Sequence, residues 1–302
     1  MSKLVNTEGE REILNNVEFT HHFARVSGLL WHYVEAGSTE AEPVVFLHGL
    51  PESWYSWHYQ MEALSPEYHV VAIDLKGYGQ SDKADGDYSA SVMAEEVLSL
   101  LDHTGLLKFN LVSHNWGTAV ADRIAGKHPN RLLRFVRMEA PLLIQRSDDR
   151  PQFRTLKDQE VARRLMSNAE TFVRRPYSNL TKQPIPEEDI KRAIKEFSYP
   201  GIAEAVPRYF RDIDLISWFE GEGLRERMSL YAAMDFPVLL LQADSDPNQP
   251  QYYFEGATEA FPRAKLQWVA NSGHFTELEQ PEAVTKAIRE FLHTHLVPDR
   301  IS

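Results

Sequence analysis

The chain contains no cysteine among its 302 residues. This absence excludes disulfide cross-links, thiolate metal ligands and a cysteine nucleophile. Basic residues are also in deficit, since 32 lysines and arginines stand against 44 aspartates and glutamates, for a formal net charge of −12. Such a charge disfavours nucleic acid and anionic membranes as partners, and the sequence has no basic cluster to offset it.

Long apolar runs are missing as well. No stretch approaches the roughly 20 apolar residues that a membrane span requires, and the charged start MSKLVNTEGEREILNN lacks the apolar core of a secretion signal. We therefore expect a cytoplasmic protein. What the chain does have is a hydrophobic fraction of 43%, enough for one large domain or for a core domain with an inserted subdomain.

In the first half of the chain, short apolar runs alternate with amphipathic segments, which is typical of a mainly parallel sheet with helices on both faces. Helical periodicity is present at residues 90–104 and 118–127. Strand-like runs lie at residues 17–26, 29–35, 44–47, 69–73, 109–113 and 133–138.

The pattern changes after residue 141. Residues 142–234 are rich in charge, arginine especially, and predict helices without intervening strands. Strand-like sequence resumes at residues 237–242 and 266–269, and an amphipathic segment closes the chain. We expect residues 1–141 and 235–302 to form an α/β core and residues 142–234 to form a helical cap, with a small-molecule substrate between them.

The segment FNLVSHNWGTA, residues 109–119, has the pattern of a nucleophile elbow. In this pattern a strained turn between small residues joins a strand to a helix and projects one side chain from the end of the sheet. Serine, aspartate or cysteine usually takes that place, because the group must attack carbon and then leave. Here the residue is Asn115, whose neutral carboxamide does this poorly. The scaffold predicts an enzyme, but Asn115 argues against efficient covalent catalysis.

Two later segments complete the order nucleophile, acid, histidine. LLQADSDP, residues 240–247, predicts a strand running into an acidic turn, and VANSGHF, residues 269–275, predicts a strand and a loop that presents His274. We expect His274 to take a proton from water and Asp246 to fix its tautomer, with Asp244 as a competing acid. Each residue alone is commonplace in a loop, but their order along the chain favours a catalytic site.

The loop in FLHGLPESW, residues 46–54, follows an early strand. In this arrangement that loop and the residue after the nucleophile each supply a backbone N–H group to a developing oxyanion. Leu50 and Trp116 are the predicted donors. His48, in the same loop, is counted among the residues expected to bind substrate.

Together, HGLPESWYSW, DLKGYGQSD, SHNWG and SGHFTELEQPE resemble the α/β-hydrolase superfamily, and more narrowly its epoxide hydrolase and haloalkane dehalogenase branch. The resemblance covers nearly the whole chain outside the predicted cap. It implies an α/β-hydrolase fold, with a mostly parallel eight-stranded sheet flanked by helices and an inserted helical cap. Members of that branch typically have aspartate at the elbow, where this chain has Asn115.

The resemblance also implies a reaction. In the family, the elbow aspartate opens an epoxide or displaces a halide to form an ester, which a histidine-activated water then hydrolyses. Carried over, Asn115 takes the nucleophile position, His274 is the base and Asp246 is the acid. Epoxide hydrolases use cap tyrosines to protonate the epoxide oxygen, and the segment AVPRYFR nominates Tyr209. Tyr177 is a candidate for the second tyrosine, although for it we prefer an ordinary packing role.

A haloalkane or haloacid dehalogenase is the alternative. Dehalogenases hold the leaving halide with a tryptophan after the nucleophile and a second donor. Trp116 fits the first role, but Leu50 stands where one common second donor would be. Glu139 occupies a position where some dehalogenases place their acid. It is either a second carboxylate near His274 or a solvated loop charge.

Asn115 itself has two interpretations. It is either an aspartate-to-asparagine change that traps substrate in an otherwise complete hydrolase, or the chain's own residue. In the second case the fold serves His274-driven chemistry with bound water, or binds a ligand without turnover. No metal or organic cofactor is expected, because the histidines lack ligand spacing and the glycines of KGYGQ do not open a nucleotide-binding helix.

Overall fold

The computed structural model describes residues 5–142, 155–211, 219–261 and 263–294. Nine strands form one sheet at the centre of these residues. They are β1 (Arg11–Leu14), β2 (Val17–Val26), β3 (Leu29–Ala36), β4 (Pro43–Leu47), β5 (His69–Ile73), β6 (Phe109–His114), β7 (Leu132–Met138), β8 (Val238–Ala243) and β9 (Ala264–Val269).

The strand order across the sheet is β1-β2-β3-β5-β4-β6-β7-β8-β9. The first three strands form an antiparallel meander, and β3 pairs antiparallel with β5. From β5 to β9 all neighbouring strands are parallel. The strands β5, β6 and β8 are buried along their whole length, because helices cover both faces of the sheet. The predicted mostly parallel α/β architecture is confirmed.

The predicted count of eight strands is wrong by one, and the missed strand is β1. It is only four residues long, REIL, and alternates between exposed and half-buried positions at the edge of the sheet. A tight turn joins it to β2. Both residues of this turn, Asn15 and Asn16, adopt positive φ, 47° and 74°. Asparagine tolerates this region better than most residues. A short, charged edge strand carries too little hydrophobic alternation to be recognised from sequence.

The helices are α1 (His58–Leu64), α2 (Ala90–His103), α3 (Asn115–Lys127), α4 (Gln159–Met166), α5 (Ala169–Asn179), α6 (Glu187–Phe197), α7 (Ile202–Ala205), α8 (Arg208–Arg211), α9 (Gly221–Ala233), α10 (Ala257–Ala260), α11 (Thr276–Glu279) and α12 (Pro281–Leu292). Side chains of α1 and α12 share one hydrophobic cluster with the sheet. Those of α2, α3 and α9 belong to a second cluster. The sheet is thus sandwiched between two apolar layers.

Between β7 and β8 the described residues form helices α4 to α9 and contain no strand. Contacts with several elements tie this segment to the rest of the chain. The N–H group of His274 donates to the carbonyl of Leu180 at 2.7 Å, and the hydroxyls of Tyr55 and Tyr59 donate to the carboxylate of Asp189. The guanidinium of Arg192 on α6 pairs with Glu12 on β1. A single helix, which the sequence pattern predicts over residues 201–210, is replaced by two short helices, α7 and α8.

Within the part of the chain that the structure describes, we find no helix with the length and apolar composition needed to cross a bilayer.

Candidate active site

The backbone makes a sharp bend at Asn115, the first residue of α3, directly after β6. Asn115 has φ +51°, a left-handed conformation that costs a non-glycine residue of order 1–3 kcal/mol and persists where surroundings enforce it. Two glycines make room for the bend. A Cβ atom on Gly49 would lie 2.5 Å from the Cβ of Asn115, and one on Gly117 would lie 2.5 Å from the carbonyl oxygen of Leu47. The predicted elbow geometry is therefore present.

The structure brings Asn115, His274 and Asp246 into one hydrogen-bonded line. Nδ1 of His274 lies 2.7 Å from Oδ2 of Asp246, and Nε2 lies 2.9 Å from Nδ2 of Asn115. Because an amide nitrogen can only donate, Nε2 is the acceptor and Nδ1 carries the proton that is donated to Asp246. His274 and Asp246 are both nearly inaccessible to solvent.

Asp244, the competing acid, has a different place. Its carboxylate accepts hydrogen bonds from the backbone N–H groups of Asn271 and Ser272 and from the hydroxyl of Ser245. These contacts lower the pKa of Asp244, although its slight burial acts in the opposite direction. Asp244 thus fastens the loop that carries His274 and does not contact the imidazole.

The loop after β4 reaches the elbow through Leu50. Its backbone N–H group points to Oδ1 of Asn115 across a long contact of 3.4 Å. The amide of Asn115 therefore lies between the N–H group of Leu50 on one side and the imidazole of His274 on the other. Trp116 follows at the start of α3, and its indole packs edge-on against Phe210, with ring centroids 5.2 Å apart.

Glu139 lies at the end of β7, fully buried, with φ +43°. Its Oε1 accepts a hydrogen bond from the N–H group of Ala243 at 2.6 Å and lies 3.0 Å from the hydroxyl of Thr276. Burial raises the pKa of Glu139 well above its usual value, and the negative charge of Asp246 raises it further. Of the two readings left open by the sequence, the geometry matches a second carboxyl group beside the His274 dyad.

Glu52 and His114 belong to motifs that the sequence singled out, but sequence reasoning gave neither a role. Glu52 accepts from the N–H group of Gly49 and lies 2.9 Å from Nδ1 of His114. Nε2 of His114 lies 2.8 Å from the carbonyl oxygen of His274. Burial opposes protonation of His114, but the negative charge of Glu52 outweighs it and raises the pKa of His114. The pair ties the Leu50 loop, the elbow and the His274 loop together.

Three other predicted site residues are His48, Tyr209 and Tyr177. The polar side-chain atoms of the first two form hydrogen bonds within the protein. Nδ1 of His48 donates to the carbonyl of Gly49 and Nε2 accepts from the N–H group of Leu75, at 2.8 and 3.1 Å. His48 therefore joins two loops. The hydroxyl of Tyr209 donates to the carbonyl of Lys76 at 2.6 Å.

Tyr177, the third, is buried. Its ring packs edge-on against Phe275, with centroids 4.4 Å apart. Phe275 directly follows His274, so Tyr177 lies one side chain away from the imidazole loop.

Among the residues that the structure describes, two buried clusters bring possible metal ligands within 4.8 Å of one another: Glu52, His114 and Glu277, and Glu139, Asp246 and His274. In both clusters each imidazole nitrogen already faces a protein hydrogen-bond partner. Binding a metal through either imidazole would replace one of these hydrogen bonds, so neither cluster fits a resident ion.

Comparison with known proteins places this geometry in a family. Residues 42–281 match the family described as alpha/beta hydrolase fold. The chain is 29% identical to human Epoxide hydrolase 4 over 301 residues, covering 90% of this chain and 79% of that protein.

Solved structures agree. The epoxide hydrolase CorEH, without ligand, superposes with a TM-score of 0.75 at 26% identity, over 91% of this chain and 98% of that one. A haloalkane dehalogenase variant from Bradyrhizobium elkanii superposes with a TM-score of 0.75 at 24% identity, over 91% of this chain and 96% of that one, and therefore shares the fold. The chain belongs to the alpha/beta hydrolase fold family.

Proposed function

We propose that this protein is an epoxide hydrolase-type enzyme whose nucleophile position is held by Asn115. One observation carries the proposal most directly. The amide of Asn115 lies between an N–H donor and an imidazole that is itself held by Asp246. A carboxylate at position 115 would lie next to the imidazole of His274, which would act as the base, and next to the N–H group of Leu50. It could also point towards a substrate bound at the elbow. The relatives named epoxide hydrolases support the choice of reaction.

With aspartate at position 115, the reaction would proceed in two steps. A carboxylate oxygen would attack an epoxide carbon, the ring C–O bond would break, and an acidic hydroxyl would protonate the released oxygen. Nε2 of His274 would then accept a proton from water while that water attacks the ester carbonyl. The backbone N–H groups of Leu50 and Trp116 would stabilise the oxyanion. The ester C–O bond would then break, and His274 would pass its proton to the departing oxygen to release a diol. The proton left on the carboxyl group would restore the hydroxyl that protonated the epoxide oxygen.

In the present chain both steps are impaired. The amide oxygen of Asn115 is a weak nucleophile, and its Nδ2 donates to the atom of His274 that would accept the proton of water. We therefore expect the chain to bind an epoxide and to turn it over very slowly.

The proposal includes a cap. Residues 142–234 would cover the carboxyl ends of the parallel strands, with the substrate between cap and core. Support comes from the contacts of this segment with the site loops. The carbonyl of Leu180 accepts from the N–H group of His274 at 2.7 Å, and the ring of Tyr177 lies on Phe275. The many buried aromatic side chains of this segment favour a small apolar substrate.

The test is turnover of an aryl epoxide by the chain and by Asn115→Asp, with Asn115→Ala as a matched control that removes the amide without supplying a carboxylate. Activity in the aspartate form alone supports the proposal. Release of halide from haloalkanes or haloacids by that form, without epoxide opening, would reassign it to dehalogenation. Inactivity of the aspartate form on all three substrate classes would leave a ligand-binding protein.

A further inference from the structure

Glu139 and Asp246 are two carboxyl groups in one buried cluster, and the hydrogen bonds around them are unequally distributed. Each is almost completely buried, and each offers an oxygen within 4.8 Å of the other and of His274. Asp246 accepts from Nδ1 of His274 and from the N–H group of Asn248, at 2.7 Å each. Each oxygen of Asp246 therefore accepts a hydrogen bond and can accept a further one.

Glu139, in contrast, has hydrogen-bond donors at only one of its two oxygens. Its Oε1 faces the N–H group of Ala243 and the hydroxyl of Thr276. Its Oε2 is buried and has no hydrogen-bond partner. A buried oxygen of an ionised carboxylate without a donor is costly, and the adjacent anion of Asp246 adds repulsion. A proton on Oε2 removes both costs at once, because it neutralises Glu139 and makes Oε2 a hydrogen-bond donor to the neighbouring anion.

We infer that Glu139 is a positioning residue that keeps its proton at neutral pH and donates it to the carboxylate of Asp246. Asp246 then holds His274 with Oδ2 and accepts from Asn248 with Oδ1, and Glu139 supplies a third donor. The orientation of the acid is thereby fixed from both sides, and its anion is prevented from turning away from the imidazole. The consequence for catalysis rests on the proposed function, but the protonation itself does not.

The groups that face Glu139 agree with this assignment. Asp246 and His274 come from the loops after β8 and β9, and Thr276 comes from α11. Glu277, on α11 as well, is another buried acid whose pKa is raised well above its usual value, by burial first and then by the charge of Glu52. Burial raises the pKa of Glu139 too, whereas the pKa of Asp246 is lowered, because His274 outweighs the opposing effect of burial.

The inference is tested on the present chain without substrate. The first readout is the infrared C=O stretch of protonated carboxyl groups at neutral pH. Glu139→Gln should remove one such band while preserving shape, since an amide supplies the same acceptor to Ala243 and the same donor to Asp246. Glu12→Gln is the matched control and should remove none, because the pKa of Glu12 is lowered to about 2. An unchanged band in Glu139→Gln, or failure of that variant to fold, would overturn the inference.

The second readout is the proton resonance of Nδ1–H of His274, which reports its hydrogen bond to Asp246. Glu139→Gln should leave it in place, whereas Glu139→Met should move it downfield, because Asp246 then has one donor fewer and binds the imidazole more strongly. Asp246→Asn shows the full effect of losing the acceptor. Equal resonances in Glu139→Met and the parent chain would mean that Glu139 only fills space.

These readouts do not depend on turnover. A failed infrared or resonance test would remove the role of Glu139 and leave the epoxide proposal standing. An inactive Asn115→Asp chain would do the reverse.

Discussion

The side chain of Asn115 donates its Nδ2 hydrogen to Nε2 of His274 across 2.9 Å. Nδ1 of His274 is hydrogen-bonded to Asp246, so Nε2 is the nitrogen that could accept a proton from water. The contact with Asn115 occupies this nitrogen. A carboxylate at position 115 has no hydrogen to donate, so it would leave Nε2 to a water molecule. If position 115 holds the nucleophile, as we propose, the residue there also controls whether Nε2 of His274 is available as the base.

Asp246→Asn, made in an Asn115→Asp chain, should lower the steady-state rate of diol formation by a factor on the order of 10³–10⁴ through slower ester hydrolysis, as loss of the orienting acid does in other histidine-based sites. An amide in this place can present a donor to Nδ1 and favour the wrong tautomer. Asp244→Asn is the matched control, since Asp244 caps backbone N–H groups and does not contact the imidazole. Equal losses in the two variants, measured by steady-state kinetics, would contradict the assignment of the acid.

Tyr177→Phe should reduce epoxide turnover in an Asn115→Asp chain more than Tyr209→Phe does. The hydroxyl of Tyr209 is committed to the carbonyl of Lys76 at 2.6 Å, whereas the ring of Tyr177 packs on Phe275 beside the base. The two variants remove the same atom, so each serves as the control of the other in a comparison of kcat. A larger loss in Tyr209→Phe would show that Tyr209 exchanges its hydrogen bond to protonate the substrate.

Gly117→Ala should destabilise the elbow, because the added methyl group would lie 2.5 Å from the carbonyl oxygen of Leu47 and 2.6 Å from that of His48. These carbonyl groups belong to the end of the buried strand β4 and to the residue that follows it, so they cannot easily move away. We expect a loss of about 1–3 kcal/mol in the free energy of unfolding, which is typical of an overpacked site. Urea denaturation measures it, and a stability equal to that of the parent chain would mean that the bend relaxes without cost.

Glu12→Ala should lower the free energy of unfolding by about 1–3 kcal/mol at neutral pH, because Glu12 accepts two hydrogen bonds from Arg192, at 2.6 and 2.9 Å. Glu18→Ala is the control, since its pairing with Arg11 is exposed and should contribute little. Similar losses from the two variants would mean that the Arg192 contact adds nothing to stability.

The same ion pair predicts a pH dependence. Burial alone would raise the pKa of Glu12, but hydrogen bonds from His21 and Arg192 outweigh it and lower the pKa from 4.5 to about 2. A lowered folded-state pKa means that the stabilisation is complete above the unfolded value and disappears as the pH falls. The stability difference between the parent chain and Glu12→Ala should therefore shrink from about pH 4.5 towards about pH 2, as followed by thermal unfolding.

Sequence patterns predicted the elements of the core well, because each carries a strong local signal. Strand β2 was expected at residues 17–26 and begins and ends there, and α2 starts at the predicted Ala90. Helix α3 starts three residues before the predicted residue 118, since Asn115, Trp116 and Gly117 have neither the propensity nor the periodicity of a helix. Tertiary packing against Gly49 and Leu47 sets that start instead.

The site was predicted in outline through the order of its motifs, but its interior was not. The quoted motifs already contained Glu52 and His114, and their letters gave no sign that the two side chains meet 2.9 Å apart beneath the elbow. The contact spans 62 positions of the chain and depends on how two parallel strands lie next to each other. Likewise, both ring nitrogens of His48 form hydrogen bonds with backbone groups. The positions of these backbone groups cannot be predicted from a pattern of side chains.

The most direct test of the account is a single turnover of an epoxide by Asn115→Asp in heavy-oxygen water, with protein in excess over substrate. Attack by the side chain at position 115 predicts a diol with unlabelled oxygen, while the label appears in the peptide that contains this position. Label in the diol of the first turnover would show direct attack by water. That result, or no turnover at all, would contradict the assignment of position 115 as the nucleophile.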